Sequence, residues 1–266
     1  HLNSLDASAP AREYFEQSWL ARALEKDVAQ LASLLDEACV GLDVDWVLAG
    51  TLSDAGNVVA PMLFLLGDPV GRPDADLADY VRATELRNVV DRVDAEATNS
   101  FPITTVSAVP PIPAVGASAA TVGSLIQIPD PDGALRSDPL VISYFEGGNK
   151  FSYFPSLALQ IAATSLNLKP DDIEVRLGEG VQLGRLSIAT DENLRLLSFF
   201  YSAPDGGSAI QADSFYDVIT GTIKPEKYRD KVVLIGATAA GLTNAFPTPI
   251  EPNAAPVMVL GKQIGR

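Results

Sequence analysis

The chain has 266 residues, of which 47% are apolar, and its 19 Lys and Arg stand against 34 Asp and Glu, for a formal net charge of −15. This charge excludes a nucleic acid partner and an anionic membrane surface, because phosphate groups bind to basic patches. The single cysteine and the single histidine exclude an intrachain disulfide, Ser-His-Asp and Cys-His catalysis, and zinc sites built from His and Cys.

The first predicted element is a helix over Trp19 to Ala38, which Gly41 is expected to end. Its apolar residues follow one another at steps of four, four, three and four, which places them on one helical face. These residues are Leu20, Leu24, Val28, Leu31 and Leu35. Cys39 lies at the end of this pattern and is predicted to be a buried thiol.

A central strand is predicted over Val58 to Leu66, where a continuous apolar run ends at a Gly-Asp-Pro turn. A run that is apolar on both faces is typical of a strand that helices cover. Residues 80–97 have weak helical character. The segment 101–113 contains four prolines, so we predict an extended ordered loop there, and residues 99–116 are the best candidate for a subdivision of the chain.

A β-hairpin that leads into a helix is the clearest pattern in the sequence. Its predicted strands are Leu140 to Phe145 and Phe151 to Phe154, and the turn between them contains Gly and Asn, which tolerate positive φ. Pro155 is predicted to open the following helix at its first turn, and Pro170 is predicted to stop it.

Shorter elements are predicted in the last third of the chain. Strands are expected at 185–188 and 194–201, a short helix at 214–219, and a buried strand at 231–235. Because strands and helices alternate, the predicted class is α/β, with a mixed and mostly central β-sheet flanked by helices. We treat residues 1–266 as a single domain.

Three motifs could form a functional site, but each of them is better explained as a turn or a loop. Asp130-Pro131-Asp132-Gly133 begins like a calcium loop but lacks the later Gly and Glu that such a loop needs, so a turn is predicted. The loop 236–241 has no phosphate-binding pattern. The carboxylates Asp74, Asp76 and Asp79 lie in a Gly- and Pro-rich loop, and we predict that they are solvated rather than catalytic.

Five aromatic residues lie on the predicted hairpin. They could form an apolar ligand wall or a dimer face, but aromatic residues this close together usually bury a large area in a core, which is our prediction. They are Tyr144, Phe145, Phe151, Tyr153 and Phe154.

Residues 130–249 resemble the second type of the cyclases/histidine-kinases-associated sensory extracellular domain, the CHASE family. Four pieces carry the likeness, in the order that is usual in that family. They are Asp132-Gly133-Ala134-Leu135-Arg136, Phe154-Pro155-Ser156-Leu157-Ala158-Leu159, Ser214 to Gly221, and Tyr228 to Ala239 with its continuation through Asn244 to Pro249. Upstream, Ser53 to Met62 also resembles a strand of the family, whereas its early strand is not recognisable in residues 1–50.

The resemblance implies a ligand-sensing module on the periplasmic or extracellular side of a bacterial membrane receptor. Such a receptor has flanking transmembrane helices and a kinase or nucleotide cyclase output outside this chain. The domain itself is expected to catalyse nothing, and we predict no cofactor and no metal ion. Its partner would be a small molecule or a protein signal, and a homodimer stays open.

Four residues are candidates for ligand contact, because open α/β sheets bind ligands where loops converge at the carboxyl ends of strands. Thr238 and Asn244 follow the predicted strand 231–235. Arg136 and Tyr201 each lie beside an apolar strand and offer a hydrogen-bond donor.

Two other functions stay open at this stage. One is a domain that only dimerises or docks a protein partner, which would present a large exposed apolar patch. The other is a hydrolase that uses carboxylates such as Asp74, Asp76 or Asp132, which would have to converge in one cleft.

Overall fold

The computed structural model of the protein describes residues 19–71, 73, 76–202, 210–239, 242 and 245–264, and within the first helix the side chains of 26–35, 41 and 42. Its class is a mixed α/β fold with a central sheet, as predicted. None of the helices in these ranges is long and apolar enough to span a membrane.

Helices and strands are interspersed along the described part of the chain. The helices are α1 Trp19–Leu42, α2 Val44–Ala55, α3 Asp79–Arg82, α4 Ala95–Thr98, α5 Pro113–Ser118, α6 Leu157–Ser165, α7 Phe215–Ile219 and α8 Pro256–Ile264. The strands are β1 Val59–Leu66, β2 Val89–Val90, β3 Ile103–Val109, β4 Thr121–Ser124, β5 Ser137–Pro139, β6 Val141–Gly147, β7 Lys150–Pro155, β8 Ile173–Arg176, β9 Gly180–Leu183, β10 Leu186–Ala189 and β11 Arg195–Leu197.

The largest sheet has five strands in the order β4-β1-β3-β6-β7. The hairpin β6–β7 forms as predicted, with Gly147 and Gly148 at positive φ in its turn. The middle strand, β3, corrects the loop prediction for 101–113. Pro102 and Pro110 only flank β3, and the seven residues of Ile103–Val109 contain no proline and are rich in Ile, Thr and Val, which favour strands.

The aromatic residues of the hairpin belong mainly to the core, as predicted. Tyr144 and Phe154 are buried and meet Phe64 of β1, with ring centroids 5.8 Å and 5.2 Å away respectively. Phe145 is also buried, whereas Phe151 lies at the turn and is partly exposed. The buried rings therefore lie on the face of the central sheet that packs into the core.

A second sheet of four strands has the order β10-β9-β8-β2 and builds a second core. Leu159 and Ala163 of α6 pack into this core together with Val175 and Val181. On its other side α6 contacts the central sheet and α8, where Leu157 and Ala158 pack against Leu260. Helix α6 therefore connects both sheets to the last helix.

The structure corrects both ends of the helix predicted after the hairpin. Pro155 is the last residue of β7, and Ser156 is the N-cap, whose hydroxyl accepts the Leu159 N–H at 3.1 Å. The helix ends at Ser165, before Pro170, which instead begins a short 3₁₀ turn. A hydroxyl acceptor satisfies a free N–H at a helix start, so Ser156 was the better sequence signal.

Helix α1 confirms the predicted N-terminal helix but continues through Gly41 to Leu42. Glycine costs about 1 kcal/mol in a helix relative to alanine, too little to stop it, and Asp43 caps the next helix instead. The described apolar side chains of α1 are exposed, including Val28 at 64% and Leu35 at 56%. Cys39 lies on α1, and the burial of its side chain is outside what the structure describes.

The strand predicted over 231–235 is absent from the described structure, and this prediction was wrong. Val232, Val233 and Ile235 are exposed, and only Leu234 reaches the core, beside Leu260 of α8. A continuous apolar run predicts burial on both faces, but no neighbouring strand pairs with this backbone among the described residues. Of the strand predicted over 194–201, only the three residues of β11 form a strand. Leu194 belongs to the preceding turn, where its N–H donates to the Asp191 carbonyl.

Candidate functional site

The candidate site is a cleft of about 370 Å³ along a two-stranded ribbon, β5–β11. The strands are antiparallel, and Leu197 lies opposite Ser137 while Arg195 lies opposite Pro139. The charged residues that line the cleft are Asp130, Arg136, Asp191 and Arg195. Its apolar lining includes Leu197 and Phe199, and about half of the Phe199 residue is exposed, 52%.

Arg136 is held at one end of the cleft by a turn that precedes β5. The turn is closed by the Gly133 N–H, which donates to the Asp130 carbonyl at 2.7 Å, and Gly133 has a φ of 84°. Both terminal nitrogens of Arg136 donate to Asp132, at 2.8 and 2.6 Å, and Nη1 also donates to Asp130 at 2.8 Å. The turn prediction for Asp130–Gly133 is therefore confirmed.

Arg195 is held at the other end of the cleft by a second turn of the same design. The Arg195 Nε–H donates to Oδ2 of Asp191 at 2.7 Å, and the Arg195 backbone N–H donates to Oδ1 at 2.8 Å. Oδ1 of Asp191 also accepts the backbone N–H of Asn193 at 3.0 Å. This carboxylate thus fixes the turn and the guanidinium together.

The two ends of the cleft repeat one sequence pattern, Asp-x-x-Leu-Arg. In Asp132–Arg136 and in Asp191–Arg195 the aspartate accepts the N–H two residues later and pairs with the arginine four residues later. The leucines, Leu135 and Leu194, are buried in different cores and anchor each turn. Our sequence reasoning missed Arg195, and this repeated pattern was the signal that could have found it.

The charges differ between the two ends. Hydrogen bonds from Arg136 hold the pKa of Asp132 well below its usual range, and bonds to Asp132 and Asp130 raise the pKa of the Arg136 guanidinium. With two carboxylates and one guanidinium, this end of the cleft has a formal net charge of −1. The Asp191–Arg195 pair sums to zero.

This arrangement can bind charged groups, because its side chains are fixed donors and acceptors. The described residues contain no group of three or more His, Cys, Asp and Glu side chains that could hold a metal ion. Asp76 and Asp79 are exposed, and Asp132 is engaged by Arg136, while Asp74 lies outside the described residues. Asp132 is thus engaged in an ion pair with Arg136, and the exposure of Asp76 and Asp79 agrees with the prediction that this loop is solvated.

Of the four predicted ligand residues, the structure places one in the cleft. Arg136 lines the cleft, whereas Tyr201 and Thr238 are exposed residues outside its lining. Asn244 lies outside the described residues. All four remain predictions for ligand contact.

A buried carboxylate, Asp138, is a second feature of this region. Asp138 lies on β5, and its side chain interacts with Ser156 at the start of α6. Its side chain is buried, with 6% of the residue exposed, and its Oδ2 has no hydrogen-bond partner among the described residues. Burial raises the pKa of Asp138 to about 7, and a hydrogen bond with Ser156 opposes this rise. The ribbon therefore carries a carboxylate that is easily protonated.

Comparison with known proteins gives one family match. The family model described as "CHASE2 domain" matches residues 9–264, which is nearly the whole chain. No curated protein and no solved structure shows significant similarity to the chain.

Proposed function

The chain belongs to the CHASE2 family of extracellular sensory domains, and from this premise we propose that it is the ligand-sensing domain of a bacterial transmembrane receptor. In this proposal the domain lies on the periplasmic or extracellular side of the membrane. The output is a kinase or nucleotide cyclase elsewhere in the same protein. The domain itself binds its signal and catalyses no reaction.

The observation that carries the proposal is the cleft between Arg136 and Arg195. Two guanidinium groups, each fixed by a carboxylate, line one open space beside half-exposed apolar side chains. Binding sites commonly combine an apolar wall with a few oriented polar groups. Among the described residues that line the cleft, no hydroxyl is hydrogen-bonded to a side-chain base of the kind that activates a nucleophile, and the Thr190 hydroxyl donates to the Asp191 backbone carbonyl instead.

A route for the signal runs from the cleft through α6 to α8. The Leu140 N–H donates to the Leu194 carbonyl at 3.0 Å, next to the Arg195 end of the cleft. The Ser156 N–H donates to the Leu140 carbonyl at 2.8 Å, at the start of α6, which packs against Leu260 of α8. A ligand that prefers one arrangement of the ribbon would shift the population of α6 and α8 positions.

The proposal is tested in two stages. The gene is sequenced on both sides of this region, where we expect apolar stretches of about 20 residues and an output domain. The output of the whole receptor is then measured in cells for Arg136→Gln and Arg195→Gln, with Arg176→Gln as the control outside the cleft. We expect the two cleft variants to lose the response to the natural signal, and unchanged responses in both would overturn the proposal.

A second candidate function is self-association through α1. From Leu24 to Leu42 the apolar positions recur at steps of four and three, the period of helices that pair in coiled coils. The described members of this stripe are exposed, and its 3.5-residue period favours a second copy of the same helix as the partner. Sedimentation velocity of the chain and of Val28→Ser/Leu35→Ser tests this, since only the parent chain should dimerise.

A further inference from the structure

The Arg195 end of the cleft presents open donors. Asp191 engages Nε and the backbone N–H of Arg195, and no described residue accepts a hydrogen bond from the two terminal nitrogens. A guanidinium held in this way presents parallel N–H groups that match the two oxygens of a carboxylate. This end therefore fits the carboxylate of a ligand.

The Arg136 end presents an open acceptor instead. Arg136 donates to Oδ2 of Asp130, and no described residue donates to Oδ1 of this carboxylate. With Asp132 the three groups carry a net charge of −1, so a positive group gains attraction there and a negative one is repelled. An ammonium, which has three donors and no acceptor, is the complementary group.

The two ends are separated along the ribbon. Arg195 lies opposite Pro139, three residues from Arg136, so the backbones of the two arginines are offset by about 10 Å along the ribbon. The cleft volume of about 370 Å³ suits a small molecule. Leu197 and Phe199 supply an apolar wall, against which the carbon chain of a ligand can lie.

The geometry points to a small zwitterion of the amino-acid type as the ligand, with its carboxylate on Arg195 and its ammonium on Asp130. This inference rests on the proposed function, because it names the chemistry of the signal that the cleft receives. A simple anion would meet the net charge of −1 at the Arg136 end, and a simple cation would leave the Arg195 donors unused. Only a ligand with both charges satisfies both ends.

The test measures binding of defined probes to the chain by isothermal titration calorimetry. The zwitterions are glycine, L-leucine, 4-aminobutyrate and 6-aminohexanoate, which vary the carbon chain and the distance between the charges. Each zwitterion is compared with analogues that lack one of its charges, which for 6-aminohexanoate are hexanoate and hexylamine. We expect at least one zwitterion to bind, and its single-charge analogues to bind about tenfold or more weakly, since each loses a charged hydrogen bond.

Variants assign the two charges to their residues. Arg195→Gln should weaken the zwitterion about tenfold or more, and Asp130→Asn should do the same, because each removes one charged partner. Arg195→Lys keeps the charge and checks that a loss in Arg195→Gln is not a folding defect, which circular dichroism also monitors. Arg176→Gln, whose guanidinium pairs with Glu174 outside the cleft, should bind as the parent chain does.

Three outcomes would overturn the inference. They are no binding by any zwitterion, equal binding of a zwitterion and one of its single-charge analogues, or unchanged affinity in folded Arg195→Gln and Asp130→Asn. If the receptor output still depends on the cleft arginines in that case, the sensory function stands and only the ligand class is wrong. If the output is independent of both arginines, the sensory role of the cleft fails as well.

Discussion

Asp138 is the residue whose ionisation should matter most for stability. Burial raises its pKa from an ordinary 3.8 to about 7, so between these pH values the folded state holds a proton that the unfolded state has released. The free energy of unfolding therefore falls as pH rises through this window, because deprotonation leaves a buried charge. The difference in pKa corresponds to a loss on the order of 4 kcal/mol.

The substitution Asp138→Asn removes this charge while keeping the size of the side chain. We expect the variant and the parent chain to have similar stability at pH 4, and the variant to be more stable by about 3–4 kcal/mol at pH 8. Urea unfolding at both pH values measures the difference. The exposed Asp76→Asn is the control, and an identical pH profile for parent and Asp138→Asn would contradict this account.

At the scale of elements, the close contact of α6 with β4 depends on Gly123. A Cβ at this position would lie 2.7 Å from the backbone Cα of Leu157, at the start of the helix. Backbone cannot move aside as a flexible side chain can, so Gly123→Ala should cost about 1–3 kcal/mol or more. Thermal and urea unfolding of the variant measure this cost.

Gly50→Ala is the matched control for this substitution. Gly50 lies in α2, where a Cβ would meet no atom within 4 Å, so alanine should stabilise the protein by up to about 1 kcal/mol. Equal effects of the two substitutions would show that α6 is not packed on β4 as closely as the structure has it.

The elements that could be predicted from the sequence are those with a clear apolar pattern. The hairpin β6–β7, strand β1 and helix α1 were confirmed as elements, but α1 continues past the predicted end at Gly41 and β1 leaves Leu63 and Leu65 exposed on the face that was predicted to be covered. Strand β3 was missed because its flanking prolines hid a short β-branched segment. The run at 231–235 was misassigned, since an apolar pattern specifies a tendency to be buried but cannot specify a partner strand.

The candidate site could be predicted only at one of its ends. Arg136 was selected as a donor beside an apolar strand, and the structure places it in the cleft. Arg195 escaped notice because it lies 59 positions later in the sequence, and only the antiparallel pairing of β5 with β11 brings the two arginines to one cleft. The strand pairing itself leaves no local signal, and the repeated Asp-x-x-Leu-Arg pattern is the sequence feature that marks both arginines.

At the scale of the whole molecule, the net charge of −15 should make stability depend on salt. Like charges on a folded surface repel one another, and ions screen this repulsion within about 10 Å at 0.1 M ionic strength. We expect the Tm to rise by about 2–4 °C between 10 and 200 mM NaCl. Choline chloride should act equally, and a Tm that only NaCl raises would indicate a specific ion site instead.

The strand order β4-β1-β3-β6-β7 also has a kinetic consequence. Of the four pairings in this sheet, only β6–β7 joins strands that are adjacent in sequence, while β1 must find β3 and β4 far along the chain. Closing a long loop costs conformational entropy before the contacts between its strands can form. The hairpin, which has the shortest loop, should therefore form first, and the rest of the sheet should form slowly. In pulsed hydrogen exchange during refolding, we therefore expect the amides of Tyr144 and Phe154 to be protected before those of β1.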